Sequence, residues 1–231
     1  MVEDRYLQGE YLSHNPDWHS EDSPYKARWI RDLLASADVH PQTIVEIGCG
    51  AGEILLELSR TFPQARLQGF EVSPTAFALC EPKATDRVTF YLEDVLKSQR
   101  PKVDLAMAID VFEHVPDYIG FIKDMRGLAE YKLFHIPLDL SVQGLMRPSG
   151  LANSRAAVGH LHYFTKETAL ATLADSGLEI VEWRYTCGAE ELPNRKPRTR
   201  ALNVVRKGIR AVNADIAVRF LGGYSLLVLT R

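Results

Sequence analysis

The sequence predicts an α/β protein with a doubly wound, mostly parallel β-sheet and helices on both faces. Short apolar runs alternate with amphipathic segments along most of the chain, and this order favours right-handed crossovers between parallel strands. The first four runs lack regular polar alternation, as expected when helices cover both faces of a sheet. A glycine-rich turn follows the first run, at the end of the strand where sheets of this class bind ligands.

The predicted elements of the first half follow one another without long gaps. Ser23 caps an amphipathic helix with Pro24 at its first position, and Pro41 closes that segment. Strands are then predicted at Thr43–Ile47, Arg66–Glu71, Val88–Leu92, Val103–Ile109 and 132–136, with helices at Glu53–Thr61, Pro74–Cys80 and 117–128.

The second half is predicted to be less regular. Residues 137–159 are rich in Pro, Gly and Ser and predict an ordered but mobile loop. Thr165 caps a helix that ends at Gly177, and a strand is predicted at 178–185. A polar loop at 188–199 then precedes a basic amphipathic helix at 200–219, and a final apolar strand covers 224–230.

Composition and charge bound the class of protein. The 231 residues carry 27 basic and 30 acidic side chains, a net charge of −3, which is not the charge of a nucleic-acid-binding polycation. The three cysteines lie far apart and form no CxxC pair, as is typical of reduced thiols in the cytosol. No signal-peptide pattern and no uncharged apolar run of membrane-spanning length occurs. We therefore expect a soluble cytoplasmic protein with one domain covering 1–231.

The glycine-rich turn lies within residues 43–53, TIVEIGCGAGE, where Gly48, Gly50 and Gly52 alternate with other residues. A dinucleotide fingerprint would place a third glycine where Glu53 stands. An acid in the first helical turn repels a pyrophosphate. Glu46, two residues before the first glycine, suits a cationic ligand that carries an ammonium group.

Acidic residues end the next strands as well. Glu71 closes the second strand, where a carboxylate accepts hydrogen bonds from ribose hydroxyls. Asp94 follows the third strand and is placed to accept from an adenine amino group, with Val95 against the ring. The alternative for Asp94 is a helix cap. The fourth strand leads into Asp110 and then His114.

These four elements, in this order and spacing, resemble the class I S-adenosylmethionine-dependent methyltransferases, in the small-molecule branch that includes ubiquinone-type and polyketide- or sugar-modifying enzymes. The resemblance covers about residues 23–186. It implies a Rossmann-like seven-stranded sheet in the order 3-2-1-4-5-7-6 with the last strand antiparallel. It also implies S-adenosylmethionine as cofactor, S-adenosylhomocysteine as product, and cofactor contacts at Glu46, Gly48, Cys49, Gly50, Gly52, Glu71, Val72, Asp94, Val95, Ile109, Asp110 and His114. For Cys49 the alternative is that it is only a small space-filling residue. For His114 the alternative is a scaffold role. No residues have metal-site spacing.

Three histidines are candidate general bases. His160 and His162 are two residues apart and face the same side if their segment is extended. An imidazole there can deprotonate a hydroxyl or amine acceptor. The alternative is that one of them caps a helix or binds a backbone carbonyl. His135, at the end of the fifth strand, is the third candidate.

The predicted organisation divides the domain into functional parts. Residues 1–40 form an N-terminal lid or helical segment, in which Trp18, His19 and Tyr25 line the lid or serve only for packing. Residues 41–136 form the cofactor-binding core, and residues 137–231 form the substrate side with a basic insertion at 188–222. The basic stretch 195–210 is predicted either to bind an anionic acceptor, a carrier phosphopantetheine or a membrane surface, or to be a solvated helix face.

The predicted reaction is in-line methyl transfer to an oxygen, nitrogen or carbon atom of a small-molecule acceptor, anionic or carrier-linked, with no nucleic-acid partner and a monomeric or homodimeric state. Two other functions are retained as alternatives. One is a non-catalytic protein that binds the cofactor. The other is a nucleotide-dependent oxidoreductase, against which Glu46 and Glu53 both argue.

Overall fold

The computed structural model describes residues 20–192 and 197–231, and its centre is a seven-stranded sheet in the order β3-β2-β1-β4-β5-β7-β6. Strands β1 to β5 pair in parallel, and β7 runs antiparallel to both β5 and β6. This confirms the predicted order and direction. The strands are β1 Thr43–Ile47, β2 Arg66–Glu71, β3 Val88–Leu92, β4 Val103–Ile109, β5 Ala129–Pro137, β6 Ile180–Thr186 and β7 Ser225–Thr230.

Helices cover both faces of the sheet. In chain order they are α1 Ser23–Ser36, α2 Glu53–Thr61, α3 Pro74–Cys80, α4 Tyr118–Leu128, α5 Val142–Leu145, α6 Gly150–Val158, α7 Lys166–Asp175, α8 Gly188–Glu191, α9 Pro197–Val212 and α10 Ala214–Leu221. The helices predicted between the first five strands are confirmed within one residue at each end.

Two apolar cores lie on opposite faces of the sheet, because successive strand residues point to opposite sides. On one face Val45 and Phe134 pack with α4, α7 and α10. On the other face Ile44 and Leu133 pack with α1 and α2. The central strands of the sheet are therefore buried on both sides, and a site is expected at the strand ends.

The second half contains more helix than the sequence predicts. The expected loop 137–159 holds α5 and α6, and the Ser141 hydroxyl caps α5 by accepting from the Gly144 N–H at 3.1 Å. The expected single basic helix is two helices, because Asn213 leaves the helical conformation and its side chain accepts from the Ile216 N–H at 3.0 Å. Part of the expected polar loop 188–199 is helical, as α8 and the start of α9. Short helices with a single capping residue carry too little periodicity to be seen in a sequence.

Other local predictions are confirmed. Thr165 caps α7 and forms a capping box with Thr168, and Gly177 ends that segment with a φ of 84°. The three cysteines are buried free thiols. Within residues 20–192 and 197–231, no helix combines the length and apolarity needed to cross a bilayer. The cytoplasmic location and the oligomeric state stay predictions, and Trp18, His19, Arg195 and Lys196 lie outside the described residues.

Candidate active site

The glycine turn after β1 is held against the end of β2. Gly48, Gly50 and Gly52 all have positive φ values, between 53° and 80°, which glycine adopts without steric cost. The backbone N–H groups of Gly48 and Cys49 both donate to the Phe70 carbonyl, at 2.8 and 3.1 Å. The turn is therefore fixed at the carboxyl ends of the neighbouring strands β1 and β2.

Gly52 has a packing role. A Cβ atom added there would lie 2.6 Å from the Phe90 ring and 2.9 Å from the Cys80 side chain. Contacts this short are sterically forbidden, so α2 can approach β3 only with glycine at this position. The cofactor contact of Gly52 stays a prediction.

Glu46 is a buried carboxyl group with an unsatisfied oxygen. It is 2% exposed, and its Oε2 atom has no hydrogen-bond partner. Burial raises the pKa of Glu46 to about 8, Lys26 opposes that rise, and the carboxylate of Glu71 adds to it. Because an unpaired buried carboxylate is costly, this oxygen suits a cationic ligand that would bring the missing donor.

Glu71 is already hydrogen-bonded to the backbone. Its Oε2 atom accepts from the Gly50 N–H at 2.9 Å, and its Oε1 atom accepts from the Val72 and Ser73 N–H groups, each at 2.8 Å. Burial raises the pKa of Glu71, and these three N–H groups oppose the rise. An ionised carboxylate has about four acceptor sites, so one remains for a ligand hydroxyl.

Asp94 performs the capping role that the sequence left as an alternative. Its side chain accepts from the Leu96 N–H at 3.2 Å and pairs with Lys97 at 2.9 Å. Val95 is buried beside it, with 1% exposure. The cap fixes the position of the loop that follows β3, and the predicted adenine contact stays a prediction.

Asp110 contacts a lysine and a histidine at the end of β4. Its oxygens lie 2.7 Å from Lys26 Nζ and 2.6 Å from His135 Nδ1. Burial works to raise the pKa of Asp110, but His135 and Lys26 together hold that pKa well below its usual range. Asp110 has a φ of 54°, which is uncommon for a residue other than glycine and marks a position constrained by its surroundings.

His135 has both ring nitrogens engaged. Nδ1 contacts Asp110 at 2.6 Å and Nε2 contacts the Thr186 hydroxyl at 2.8 Å. A general base needs a nitrogen that can take a proton from the substrate, so His135 fits a positioning role better than the predicted catalytic one.

His160 and His162 do not share one environment. His160 is buried, and its Nδ1 atom lies 2.6 Å from Asp139 Oδ2. His162 instead contacts the Val115 carbonyl oxygen through Nε2 at 2.9 Å. The N–H groups of residues 161 and 162 both donate to the Glu113 carbonyl, so the segment curls around that oxygen instead of staying extended. The structure therefore favours the carbonyl-binding alternative for His162.

One cavity of about 1060 Å³ collects the site residues at the carboxyl ends of the parallel strands. This volume is at the upper end of the range of roughly 300–1,000 Å³ found for ligand pockets. The predicted cofactor residues that line it are Glu46, Gly48, Cys49, Gly50, Gly52, Glu71, Val72, Asp94, Val95, Ile109, Asp110 and His114. Of the candidate bases, His135 and His160 also line it, whereas His162 is not among its lining residues.

A group of possible metal ligands adjoins the cavity. Ligand atoms of Glu113, His114 and His160 lie within 4.8 Å of one another. Burial raises the pKa of Glu113 well above its usual range, and the charges of Asp110 and Asp139 add to the rise. The sequence predicted no metal site, and that stays a prediction.

Comparison with known proteins identifies the family. The profile of the family described as "Methyltransferase domain" matches residues 18–183, which is more than half of the chain. The chain belongs to this methyltransferase family. Family and fold together confirm the resemblance to class I S-adenosylmethionine-dependent methyltransferases that the sequence motifs indicated.

The chain also resembles individual proteins. A trans-aconitate 2-methyltransferase of Afipia carboxidovorans is 29% identical over 173 residues, which cover 70% of this chain and 64% of that protein. The match thus spans less than two thirds of that relative. Among solved structures, the magnesium protoporphyrin IX methyltransferase of Synechocystis has a TM-score of 0.60 at 15% identity, covering 90% of this chain and 82% of that one. A plantazolicin methyltransferase has a TM-score of 0.64 at 13% identity, covering 100% and 93%. At these identities the two structures show a shared fold.

Two residues of the candidate site were missed in the sequence. Lys26 lies one helical turn before Ile30 on the apolar face of α1, and a lysine on such a face is the signal that could have singled it out. Asp139 follows β5, as acids follow β2, β3 and β4. A search for a carboxylate at the end of the fifth strand would have found Asp139, which the structure pairs with His160.

Proposed function

We propose that the protein transfers a methyl group from S-adenosylmethionine to an oxygen, nitrogen or carbon atom of a small-molecule acceptor. The observation that carries this proposal is Glu46, a buried carboxyl group with one unsatisfied oxygen, which lines the cavity in which the twelve predicted cofactor residues meet. The family match supports the same reaction class.

The residues of the cavity fit the parts of this cofactor. Glu46 offers an acceptor for the ammonium of the methionine portion. Lys26, 2.7 Å from Asp110, brings a positive charge to the same end of the cavity, where the methionine carboxylate needs one. The remaining acceptor site of Glu71 suits a ribose hydroxyl, and Val95 offers an apolar surface for the adenine ring. The half 41–136 thus holds the cofactor in this proposal, and the half 137–231 faces the acceptor.

S-adenosylmethionine supplies, when bound, a methyl group activated by its positive sulfur. The cavity walls then have to orient the acceptor in line with that methyl group and exclude water. Orientation of this kind lowers the activation free energy by roughly 7–11 kcal/mol in favourable cases.

The Asp139–His160 pair is the proposed general base for an acceptor that must lose a proton. Asp139 lies 2.6 Å from His160 Nδ1 and fixes the orientation of the ring. Both residues line the cavity, so the imidazole can take a proton from an acceptor bound there.

A small organic acid is the proposed class of acceptor. The Afipia relative is named for methylation of trans-aconitate, a tricarboxylate of the size that the cavity can hold beside a cofactor. An anionic acceptor is also one of the ligands predicted for the basic stretch 195–210.

Parallel calorimetric titrations with S-adenosylmethionine, S-adenosylhomocysteine and NAD test the proposal. We expect saturable binding of the first two ligands and none of NAD. Glu46→Gln should weaken binding of both ligands, while Glu81→Gln, at an exposed position outside the cavity, should not. Binding of NAD alone would overturn the proposal. Binding of S-adenosylmethionine without turnover of any acid in an acceptor screen would favour the non-catalytic alternative.

The charge of Glu53, which the sequence sets against a bound dinucleotide, is paired within the protein. Lys83 Nζ lies 2.5 Å from Glu53 Oε1 and 2.8 Å from the Ala51 carbonyl oxygen. This pairing offsets much of the negative charge at the start of α2. The family match and Glu46 therefore carry the argument against an oxidoreductase.

A further inference from the structure

Arg206 on α9 is a buried arginine that lacks an acidic partner among the described residues. It is 4% exposed. Nη1 donates to Asn203 Oδ1 at 2.9 Å and Nη2 donates to the Leu221 carbonyl at 3.2 Å, while Nε is buried without a hydrogen-bond partner. A guanidinium stays charged at every working pH. Its two partners are neutral, and it forms no ion pair with an acidic side chain in the part of the chain that the structure describes.

A buried charge of this kind is costly unless an opposite charge accompanies it. Replacement of a buried ion by an apolar side chain is often neutral or stabilising, so the fold alone gives little reason to keep a guanidinium here. The bond to Leu221 does place a cation at the C-terminal end of α10, where it is favourable. That cap uses one of the five N–H donors and leaves Nε unexplained.

The position of Arg206 connects it with the proposed acceptor. It lines the same cavity as His160, and Arg147, an exposed residue between α5 and α6, lines that cavity too. The carboxylates of Glu46 and Glu71 lie at the carboxyl ends of β1 and β2, and that of Asp110 follows β4.

The two arginines come from segments that follow β5 and β6. The order of the strands separates the carboxylates from the arginines. Strands β5, β7 and β6 lie on one side of β4, whereas β1, β2 and β3 lie on the other. The cavity therefore has a cluster of carboxylates beside the glycine turn, whereas Arg147 and Arg206, together with Asp139, line the walls that follow β5 and β6.

We infer that Arg206, with Arg147 at the rim, binds an oxyanion of the methyl acceptor. The inference rests on the proposed methyl-transfer function and assigns its substrate class: a molecule that carries a carboxylate or phosphate away from the atom that is methylated. The planar guanidinium fork matches either group with paired N–H donors. Binding energy at this remote group orients the reacting atom toward His160 and the methyl donor.

The test titrates protein saturated with S-adenosylhomocysteine. The probes are trans-aconitate, its uncharged trimethyl ester, and glycerol 3-phosphate. We expect saturable binding of at least one anion and none of the ester. Arg206→Gln should weaken that binding by about 10- to 100-fold, as expected for loss of a charge-assisted hydrogen bond.

Two further variants control for stability and for charge. Arg219→Gln on the neighbouring helix α10 removes an exposed arginine that pairs with Glu167 outside the cavity, and it should bind the anion as the wild type does. Arg206→Lys keeps a positive charge and the helix cap but loses the fork. It should still fold and should bind the anion about tenfold more weakly.

The outcomes separate the inference from the proposed function. Failure of S-adenosylhomocysteine to bind the wild type would overturn both. Binding of that ligand without saturable binding of either anion would overturn the inference alone. Arg206→Gln with a lowered melting temperature and unchanged anion affinity would show that Arg206 only caps α10. Binding of trans-aconitate would identify the group as a carboxylate, and binding of glycerol 3-phosphate would identify it as a phosphate.

Discussion

Replacement of Glu46 by Gln tests the electrostatics of the site with little change in shape. The rise in the pKa of Glu46 from 4.5 to about 8 means that the folded environment shifts the free-energy balance toward the protonated form by ~5 kcal/mol. Because the folded value is the higher one, the folded state keeps a proton that the unfolded state loses. The free energy of unfolding should therefore fall as pH rises between about 4.5 and 8, by up to ~1.4 kcal/mol per pH unit from this group.

Urea unfolding at several pH values measures this contribution. Burial also raises the pKa of Glu71 and of Glu113, so the difference between wild type and Glu46→Gln isolates the one group. We expect Glu46→Gln to become progressively more stable than wild type above pH 5, with the gain levelling off above pH 8. The exposed Glu81→Gln should follow the wild-type curve. Parallel curves for wild type and Glu46→Gln would refute the assignment of the raised pKa.

Binding of the cofactor should reverse the protonation of Glu46. An ammonium beside the carboxyl group favours its ionised form, so binding at pH 7 should release about one proton per ligand. Calorimetry with S-adenosylhomocysteine in buffers of different ionisation enthalpy measures that number. Glu46→Gln should bind more weakly and release no proton. Equal proton release by the two proteins would place the ammonium elsewhere.

Three further predictions concern other parts of the site. Glu71→Ala should weaken cofactor binding by about 1.5–3 kcal/mol for the charged hydrogen bond lost, and unchanged affinity in titration would remove the ribose assignment. His160→Ala should lower kcat by roughly 10²–10⁴ on an acceptor that must be deprotonated, whereas His162→Ala should alter thermal stability with kcat retained; the reverse pattern in steady-state kinetics would exchange their roles. Gly52→Ala should destabilise the fold by more than about 2 kcal/mol in urea unfolding, since its Cβ would overlap the Phe90 ring; a neutral effect would mean that α2 moves freely against β3.

The fold could be predicted because its signals are local and repeated. The strands from Thr43–Ile47 to Val103–Ile109 have the predicted bounds, since continuous apolar runs between turn residues identify buried strands. The errors fall in the second half. There α5 and the break at Asn213 depend on single caps, and Asn213 interrupts a periodic pattern that reads as one helix.

The sequence by itself determined the sheet, the glycine turn and the acids at the strand ends, because parallel strands bring successive loops to one edge. Only the tertiary structure decided which side chains pair there. It separated His160 from His162 by curling their segment around the Glu113 carbonyl, and it brought Lys26 from α1 to Asp110. It also buried Arg206 in a cavity wall without an acidic partner among the described residues. These contacts join residues distant in the chain, and their energies depend on burial and distance, which no local pattern encodes.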